Sequence, residues 1–273
     1  MLFKDKLKSF FSFFISLYKQ KYIIGQLVKR DFQNKYLASY IGLPWVFIQT
    51  VITILVMWFA FTYGLKINNL SNGLTFMPWL ICGLVPWFFI SETLSSTSGS
   101  LIEYSDLIAK TSFKTSVIPV IKIFTGLLVH LIFVVSLAIL AVACGFRPSI
   151  YWIQLIYLLF AGFVLLTGLG WLISSVTIYI RDMKPIVNIG ISIMFWATPI
   201  IWPYSVLSGN LKYVALLNPF FYLIEGYRYA FLYKALMFRN IEMTIYFWVI
   251  TAIIFISGAV VFRKISPRFA DYL

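Results

Sequence analysis

The sequence predicts an all-α polytopic membrane protein, and its composition and the length of its apolar runs carry that prediction. Of the 273 residues, 61% are hydrophobic and 11% are charged, which leaves too little polar surface for a soluble domain of this size. The mean hydropathy is +0.91. Apolar residues run for about 20 positions at a time, which suits helices that cross the hydrocarbon core and not the alternating strands of a membrane β-barrel. We therefore predict a single membrane domain, residues 1–273, with six transmembrane helices.

The orientation of the chain is predicted from a polar turn between two apolar runs in residues 171–203. Arg181, Asp182, Lys184 and Pro185 stand together at this turn. Ionised side chains are costly among lipid tails and proline disfavours a continuing helix, so the chain should leave the membrane here. Two cations in so short a loop indicate the cytoplasmic side. With this assignment most of the 22 Lys and Arg fall on that side, and both termini are cytoplasmic.

Residues 1–40 are predicted to form interfacial helices on the cytoplasmic surface. In residues 1–20, aromatic and leucine side chains such as Phe3 and Leu7 recur at helical spacing, while lysines and serines mostly lie on the other side. Residues 22–36 mix apolar and charged side chains in the same way, so we expect a second short helix along the membrane surface.

The spans follow from the apolar runs in chain order. Residues 41–203 hold five spans and residues 241–273 hold the sixth span with a cytoplasmic tail. The fourth run is too long for one perpendicular crossing, so that helix should be tilted or extend beyond the lipid. The predicted spans are 44–63, 78–98, 118–144, 151–180, 186–202 and 241–262.

Two connections carry most of the remaining polar residues. Residues 99–116 alternate apolar and charged side chains at helical spacing, which predicts a short cytoplasmic helix. Residues 204–240 are apolar but broken by Gly209 and Pro219, and they are too charged to span. We expect two short re-entrant or interfacial helices there, on the outer side of the membrane.

The chain shows none of the residue patterns that usually indicate an enzyme. Its nine acidic residues are scattered, and its one histidine, His130, lies in the middle of the third span. His130 is either a neutral side chain satisfied within the bundle or a proton or substrate group. Glu92 lies in the inner third of the second span, where it can be hydrated or paired. Cys82 and Cys144 lack metal-ligand spacing, so we predict no catalytic, cofactor or metal site.

Nucleotide binding is not expected on this chain. No phosphate-binding loop of the form GxxxxGK[ST] occurs, and no lysine directly follows any of the 15 glycines. If ATP drives the protein, a separate chain has to hydrolyse it.

Aromatic side chains are the most abundant candidates for contact with a ligand. The chain has 27 Phe, 17 Tyr and 9 Trp, most of which we assign to the core or to interfacial belts. Flat rings with polar tips also suit the weakly amphipathic faces of sugars. The candidates for a substrate channel lie in the outer half of the first span and in the fifth span: Trp58, Phe59, Tyr63, Phe195, Trp196, Trp202 and Tyr204.

Several motifs, spread over nearly the whole chain, resemble those of one family. They are the RDF…KY…GLPW pattern in residues 28–49, LIAKTSF in 105–119, YIRDMKP in 171–187, ATPIIWP in 197–203, LNPFFYLIEGYRYAFL in 217–232 and PRFADYL in 267–273. Together and in this order they resemble permeases of the type 2 ABC exporter superfamily, in the branch that exports polysaccharides and teichoic acids. The sequence departs from the family pattern at Lys35, where Arg is usual, and at Lys114, where Pro is usual.

The resemblance implies a homodimer with a conduit between the subunits, bound to two copies of a cytoplasmic ATPase that holds ATP and Mg. The cargo would be a lipid-linked glycan of the O-antigen, capsule or teichoic acid type, moved across the bacterial cytoplasmic membrane, with no role for nucleic acid. The residues implied to couple to the ATPase are Arg30, Asp31, Lys35, Tyr36, Glu103, Asp106, Lys110, Arg181 and Asp182.

The resemblance also implies short gating helices on the outer side, with Tyr222, Glu225 and Arg228 as candidate gate residues. Glu225 and Arg228 would pair across the dimer, orient anionic sugars or phosphates, or simply anchor the helix at the interface. Two other functions stay open at this point. One is an exporter of a small lipid or drug, and the other is an integral membrane glycan or lipid transferase that uses His130, Glu92 or Glu225.

Overall fold

The computed structural model describes residues 20–37, 42–67, 69–70, 73–110, 113–180, 182–209 and 211–269. For Leu37, Leu43 and Leu211 only the backbone is described. In the described ranges the secondary structure is helical apart from one isolated bridge between Asn69 and Thr75. The helix predicted for residues 1–20 lies outside the described residues except for its last position, as do Arg181 and residues 270–273.

Eleven α-helices make up the described chain. Two of them run on into a π-helical turn at the end near the next connection, Gln33–Leu37 after the first and Ala60–Gly64 after the second. Another, Tyr229–Tyr233, follows the tenth. The helices are α1 Lys21–Phe32, α2 Leu43–Phe59, α3 Phe76–Ser98, α4 Ser100–Glu103, α5 Ser105–Lys110, α6 Ile118–Ala143, α7 Gln154–Tyr179, α8 Met183–Ala197, α9 Leu211–Leu216, α10 Pro219–Arg228 and α11 Ile241–Ile265.

Five helices, taken with their adjoining turns, are long and apolar enough to cross a membrane. They lie within a few residues of the predicted first, second, third, fourth and sixth spans, and they are Pro44–Gly64, Phe76–Ser98, Thr115–Ala143, Ile150–Tyr179 and Ile241–Arg268. The fourth reaches 30 residues, the excess length that the sequence predicts.

The predicted fifth span is shorter than expected. Its helix, α8, has 15 residues, and the chain then continues as an irregular segment over residues 198–203. At about 1.5 Å per residue such a helix is roughly 22 Å long, less than the ~30 Å of the hydrocarbon core. The polytopic fold is therefore confirmed with five spanning helices, and a sixth crossing through α8 stays a prediction.

Proline and asparagine mark where several helices begin. Pro44 and Pro119 lie in the first turns of α2 and α6, where a missing N–H leaves no helical hydrogen bond unmade. Asn218 caps α10 by accepting a hydrogen bond from the Phe220 N–H at 3.0 Å, with Pro219 as the first helical residue. The short helix α9 begins two residues after Gly209, which adopts a φ of +55°.

The long helices run up and down, so the bundle has two distinct ends. At one end α1 and α4 contact α6, α4 also contacts α7, and α5 follows α4. We call this the basic end because Lys29, Arg30, Lys184, Arg263 and Lys264 lie there. The indole N–H of Trp171 donates to the Ser116 carbonyl there at 2.9 Å. The other end, which we call the far end, holds α9 and α10.

Burial divides the helices into a core and a periphery. The second spanning helix, α3, lies at the centre and is the most buried of the five, while the contact between α7 and α11 is the most extensive between two helices. By contrast, α2 has Ile54 as its one buried side chain among those described, and α8 has none. These two helices therefore lie on the outside of the subunit.

Candidate coupling site and outer helix

The surface helix α1 is fixed to the bundle by one of its faces. Ile24, Val28 and Asp31 follow one another at spacings of four and three residues and are all buried. Their apolar members pack with Val117 and Ile121 at the start of α6. The sequence predicts an interfacial helix here, and the structure adds that its buried face contacts protein.

A buried ion-pair network lies at the end of this face. Lys122 of α6 pairs with Asp31 of α1, and both side chains are almost fully buried, at 5% and 3% exposed. Lys122 also pairs with Glu103 of α4 at 2.8 Å. A charge taken out of water is tolerated only when it is paired and hydrogen-bonded, so Lys122 joins two separate elements to one spanning helix.

Tyr104 completes this network. Its hydroxyl donates to Asp31 at 3.4 Å, and the Lys122 ammonium lies 5.3 Å from the centre of its ring. Burial, reinforced by the charges of Asp31 and Glu103, raises the pKa of Tyr104. The phenol therefore stays protonated at neutral pH and serves as a hydrogen-bond donor.

A second ion pair joins the end of α1 to the middle of the bundle. Lys35, in the π-helical turn, pairs with Glu92 of α3, and both side chains are partly exposed. Burial lowers the pKa of Lys35, but the charge and hydrogen bond of Glu92 outweigh it, so the pKa lies above its ordinary value. The alternative that Glu92 is paired is thus the one that the structure shows, and Tyr36 is buried beside it.

Two cavities meet at this second pair. A cleft of ≈ 660 Å³ extends from Lys35 and Glu92 past Asp31 and Glu103 to Lys184. A second cavity of ≈ 360 Å³ lies between α2, α3 and α6 and is lined by Lys35, Glu92 and His130 among others. The Lys35–Glu92 pair borders both spaces.

The other predicted coupling residues lie on the surface of the basic end. Arg30 is exposed on α1, and Asp106 pairs with Lys110 at 3.1 Å within α5, with both side chains exposed. Asp182 is exposed and directly precedes α8. Arg181 lies outside the described residues. The structure thus brings Asp31, Lys35, Tyr36 and Glu103 into two buried or half-buried contacts, while Arg30, Asp106, Lys110 and Asp182 are exposed. A role of these residues in coupling stays a prediction.

The predicted channel aromatics form two groups, both toward the far end. Phe59 and Tyr63 at the end of α2 are exposed, with ring centres 5.3 Å apart, and Trp58 also contacts Tyr63. The second group is on and after α8, where Trp196 is exposed and Phe195 contacts it at 5.5 Å.

The two remaining channel candidates extend the second group. Trp202 donates its indole N–H to the Trp196 carbonyl at 3.1 Å, and the ring of Tyr204 lies 5.3 Å from that of Phe221 on α10. Both are partly exposed. Whether either group contacts a substrate stays a prediction.

Among the predicted gate residues, Arg228 on α10 is fully buried. It donates to the carbonyls of Pro199 and Ile200 at 2.8 Å each and pairs with Glu225 at 3.0 Å. Its guanidinium lies 3.6 Å from the centre of the Trp79 ring. In this conformation the Arg228 charge is satisfied within its own subunit, and it ties α10 to α3 and to the segment after α8.

Tyr222 is also buried in the subunit. Its hydroxyl is 2.8 Å from the Tyr157 hydroxyl of α7 and donates to Thr244 of α11 at 3.2 Å, while its ring stacks on Phe247. These contacts attach α10 to α7 and α11, the two helices that make the most extensive contact with each other. A role of Tyr222, Glu225 and Arg228 in gating stays a prediction.

His130 lies between α3 and α10. Its ring stacks on Phe89 with centres 4.6 Å apart, and its Nε2 is 2.6 Å from the Tyr227 hydroxyl. In the part of the chain that the structure describes, its Nδ1 has no hydrogen-bond partner, and the residue lines the smaller cavity, so both alternatives for His130 stay predictions. Among the described residues no group of three or more His, Cys, Asp and Glu can hold a metal ion.

Sequence reasoning missed two residues that organise these contacts. By its position near the cytoplasmic start of the third span, Lys122 is expected to be one more cation on that side, but the structure buries it inside α6. It is the one charged residue within the apolar run of the third span, and that isolation was the available signal. Tyr227 had no comparable signal, because an aromatic residue in a segment with many others does not stand out.

The fold and these contacts define a multi-pass helical membrane protein. Its helix α1 is held to the bundle by ion pairs, and α10 packs into the far end. A comparison of the sequence with known protein families assigns the chain to a family of this class. The ABC-2 type transporter family matches residues 22–232, and the chain belongs to that family.

Individual relatives extend this likeness over nearly the whole chain. The chain is similar to two proteins of Klebsiella pneumoniae named O-antigen export system permease protein RfbA, at 26% and 27% identity over 263 residues. Each match covers 93% of this chain and 99% of the relative. A protein of the same name from Myxococcus xanthus is 24% identical over 217 residues, which is 79% of this chain and 82% of the relative.

Proposed function

We propose that this chain is the transmembrane subunit of an ATP-driven exporter that moves a lipid-linked polysaccharide of the O-antigen type across the bacterial inner membrane. The observation that carries the proposal is the family match together with relatives of that name that align over 93% of the chain. The five spanning helices fit a membrane passage.

The energy would come from two copies of a cytoplasmic ATPase that bind ATP and Mg. Exposed charges at the basic end offer that partner a surface, since Arg30 on α1 and the Asp106–Lys110 pair on α5 are open to solvent. The basic end would then be the cytoplasmic end, which agrees with the excess of Lys and Arg on that side.

The passage would lie between two copies of the chain, along α2 and α8. These helices bury almost none of their side chains within the subunit. They also expose polar side chains, namely Gln49 on α2 and, on α8, Asn188, which accepts a hydrogen bond from Ser95, and Ser192, which donates to the Asn188 carbonyl. Polar side chains are costly against lipid tails, so a second subunit or a hydrated conduit is the better neighbour. In this arrangement α8 and the segment after it complete a sixth crossing.

The exposed aromatic groups at the far ends of α2 and α8 would then line the outer half of the passage. Rings such as Phe59 and Trp196 offer flat surfaces to sugar faces without a single tight site. Such a lining suits a polymer that has to slide, whereas a small drug or lipid is better held in a closed pocket.

The test is reconstitution of the chain with its ATPase in proteoliposomes that contain a lipid-linked glycan. We expect ATP-dependent appearance of glycan on the far side of the membrane when both proteins are present, and no ATP hydrolysis by this chain alone. The control is the same complex with an ATPase variant that binds ATP but does not hydrolyse it.

Three results would contradict the proposal. They are robust ATP hydrolysis by the isolated chain, transport of a small lipid or drug in place of glycan, and formation of a new glycosidic or phosphodiester bond by this chain. Bond formation by this chain would point to the transferase alternative, and His130→Gln would then abolish product formation.

A further inference from the structure

We propose that Lys122 is a positioning residue of the export cycle, which locks α1 and α4 onto α6 so that the two elements assigned to ATPase docking move with this span as one body. The inference rests on the proposed function, because it concerns how a push from the ATPase reaches the membrane. The attachment of α1 to α6 by Lys122 is a property of the subunit, and it can be measured separately from export.

The geometry places Lys122 where the two docking elements converge. Asp31 is the last buried residue on the inward face of α1, and Glu103 ends α4. Both carboxylates pair with the same ammonium group, and Tyr104 adds a hydrogen bond to Asp31. A displacement of either element therefore acts on the first turns of α6.

The burial of this network distinguishes it from the other charges at the basic end. Lys122 and Asp31 are 5% and 3% exposed, whereas Asp106 and Lys110 are 90% and 75% exposed and lie within one short helix. An exposed pair within one helix contributes little and transmits nothing between elements. A buried pair between two elements has one well-defined geometry.

Stability alone is a poor reason for such a network. The neighbours of Lys122 along α6, Ile121 and Ile123, are fully buried, so an apolar side chain at position 122 would also have been accommodated. Replacing a buried ion pair with apolar groups is often neutral or stabilising. Among the residues that the structure describes, the second oxygen of Asp31 has no hydrogen-bond partner, which makes the network still less favourable as a source of stability. Fixing the position of α1 relative to α6 is the purpose that these charges serve.

A second contact transfers the same motion to α3. Asp31 and Lys35 are four residues apart, so both point from one face toward the bundle, where the first meets a cation on α6 and the second an anion on α3. At the α6 contact the residue of α1 is the anion, and at the α3 contact the residue after α1 is the cation. Because neither pair can form if α1 is reversed, the two contacts fix the direction of α1 as well as its position. A rigid α1 thus acts on two spanning helices, and Lys122 is the buried one of its two anchors.

The first experiment measures whether α1 and α6 move together. Spin labels are placed at Gln26→Cys on α1 and Leu131→Cys on α6, both exposed, with Cys144→Ser to remove the exposed native thiol while Cys82 stays buried. In the complete complex we expect a narrow α1–α6 distance distribution, unchanged between the ADP and ATP states. Lys122→Met should widen this distribution at least twofold, and Lys122→Arg, which keeps the charge, should not.

The second experiment measures export per ATP hydrolysed in the same complexes. We expect Lys122→Met to retain ATP hydrolysis and complex assembly but to lower glycan export per ATP at least tenfold. The control is Arg147→Met, which removes an exposed cation in the connection after α6, at the other end of the bundle, and should change neither quantity. The neutral pair Asp31→Asn with Lys122→Met leaves no unpaired buried charge, and it should assemble and show the same loss of coupling.

Unchanged distance distributions in Lys122→Met, or an unchanged ratio of export to ATP hydrolysis, would overturn the inference. So would failure of both Lys122→Met and the neutral pair to assemble with the ATPase, since the residue would then serve folding or docking. If the wild-type complex exports no glycan, the proposed function fails, while the distance measurement still decides the role of Lys122.

Discussion

At the scale of single residues, buried charges are the features that need an explanation. The subunit buries Arg228 and Lys122, and each has charged or polar partners. Those of Lys122 lie on α1 and α4, and those of Arg228 lie on its own helix and in the segment after α8. Arg228 donates to two backbone carbonyls and a carboxylate while its flat face lies over Trp79. This combination needs a planar group with several fixed donors, which only arginine provides.

We expect Arg228→Lys to destabilise the subunit strongly, because a lysine cannot reach both carbonyls and Glu225 while lying on the Trp79 ring. Removing one partner from a buried pair costs roughly 3–5 kcal/mol, and the loss should be of that order. The measurement is the free energy of unfolding of the purified chain in mixed micelles.

The matched control is Arg147→Met, which removes an exposed arginine in the connection after α6. Such a surface change should alter the free energy of unfolding by no more than about 0.5 kcal/mol. If Arg228→Lys changes stability as little as the control, the contacts of Arg228 do not hold α10 in place.

At the scale of elements, close backbone contact holds the most extensive helix pair together. α7 and α11 approach so closely at Gly168 that a Cβ there would lie 2.7 Å from the Cα of Phe255. A Cβ on Gly258 would in turn meet the carbonyl oxygen of Gly168. Because backbone atoms cannot move aside as a flexible side chain can, both positions require glycine. Small residues that let backbones approach are a common basis of helix packing in membranes.

Gly168→Ala and Gly258→Ala should each push α7 and α11 apart and destabilise the chain by about 1–3 kcal/mol, the usual cost of overpacking. The double variant should cost less than the two single effects added together, since both substitutions act on one contact. Thermal unfolding in detergent measures all three.

Gly25→Ala is the control for the glycine series. Gly25 is helical, and nothing lies within 4 Å of a Cβ at that position. The substitution should stabilise α1 by about 0.5–1 kcal/mol, because alanine loses less backbone freedom on folding. A loss of stability there, equal to that at Gly168, would show that alanine acts through something other than a clash.

At the scale of the whole molecule, the uneven burial of the spanning helices is the main observation. α3 is enclosed by other helices, whereas α2 and α8 have most of their surface open. An apolar face can meet lipid without cost, but the exposed amides on these two helices cannot. The open faces are therefore where the second copy of the chain that we propose would pack.

Single cysteines test this placement. In a Cys144→Ser background, cysteine at Ile189 of α8 or Val56 of α2, which are 61% and 60% exposed, should give a disulfide-linked dimer on oxidation in membranes. The controls are Ile253 of α11 and Val135 of α6, each 58% exposed and at similar positions along their helices. Equal cross-linking at the control positions, or none at Ile189 and Val56, would place the dimer interface elsewhere.

The sequence by itself determined the features that depend on local composition. Continuous apolar runs predicted the bounds of five spanning helices to within a few residues, because the length and hydropathy of a segment decide whether it is stable in lipid. Gly209 and Pro219 predicted the breaks around α9 and α10, and the motifs indicated the family that the comparison confirms.

Only the tertiary structure decided which side chains meet. Lys122 and Asp31 are 91 positions apart, and His130 and Tyr227 are 97 apart, so no periodicity in the sequence relates them. The same holds for Arg228, which the sequence suggested as a candidate gate residue without indicating its partners, and which the packing of α10 against α3 buries. Partners of this kind depend on how helices pack against one another, and that is determined by the shapes and charges of all their faces together.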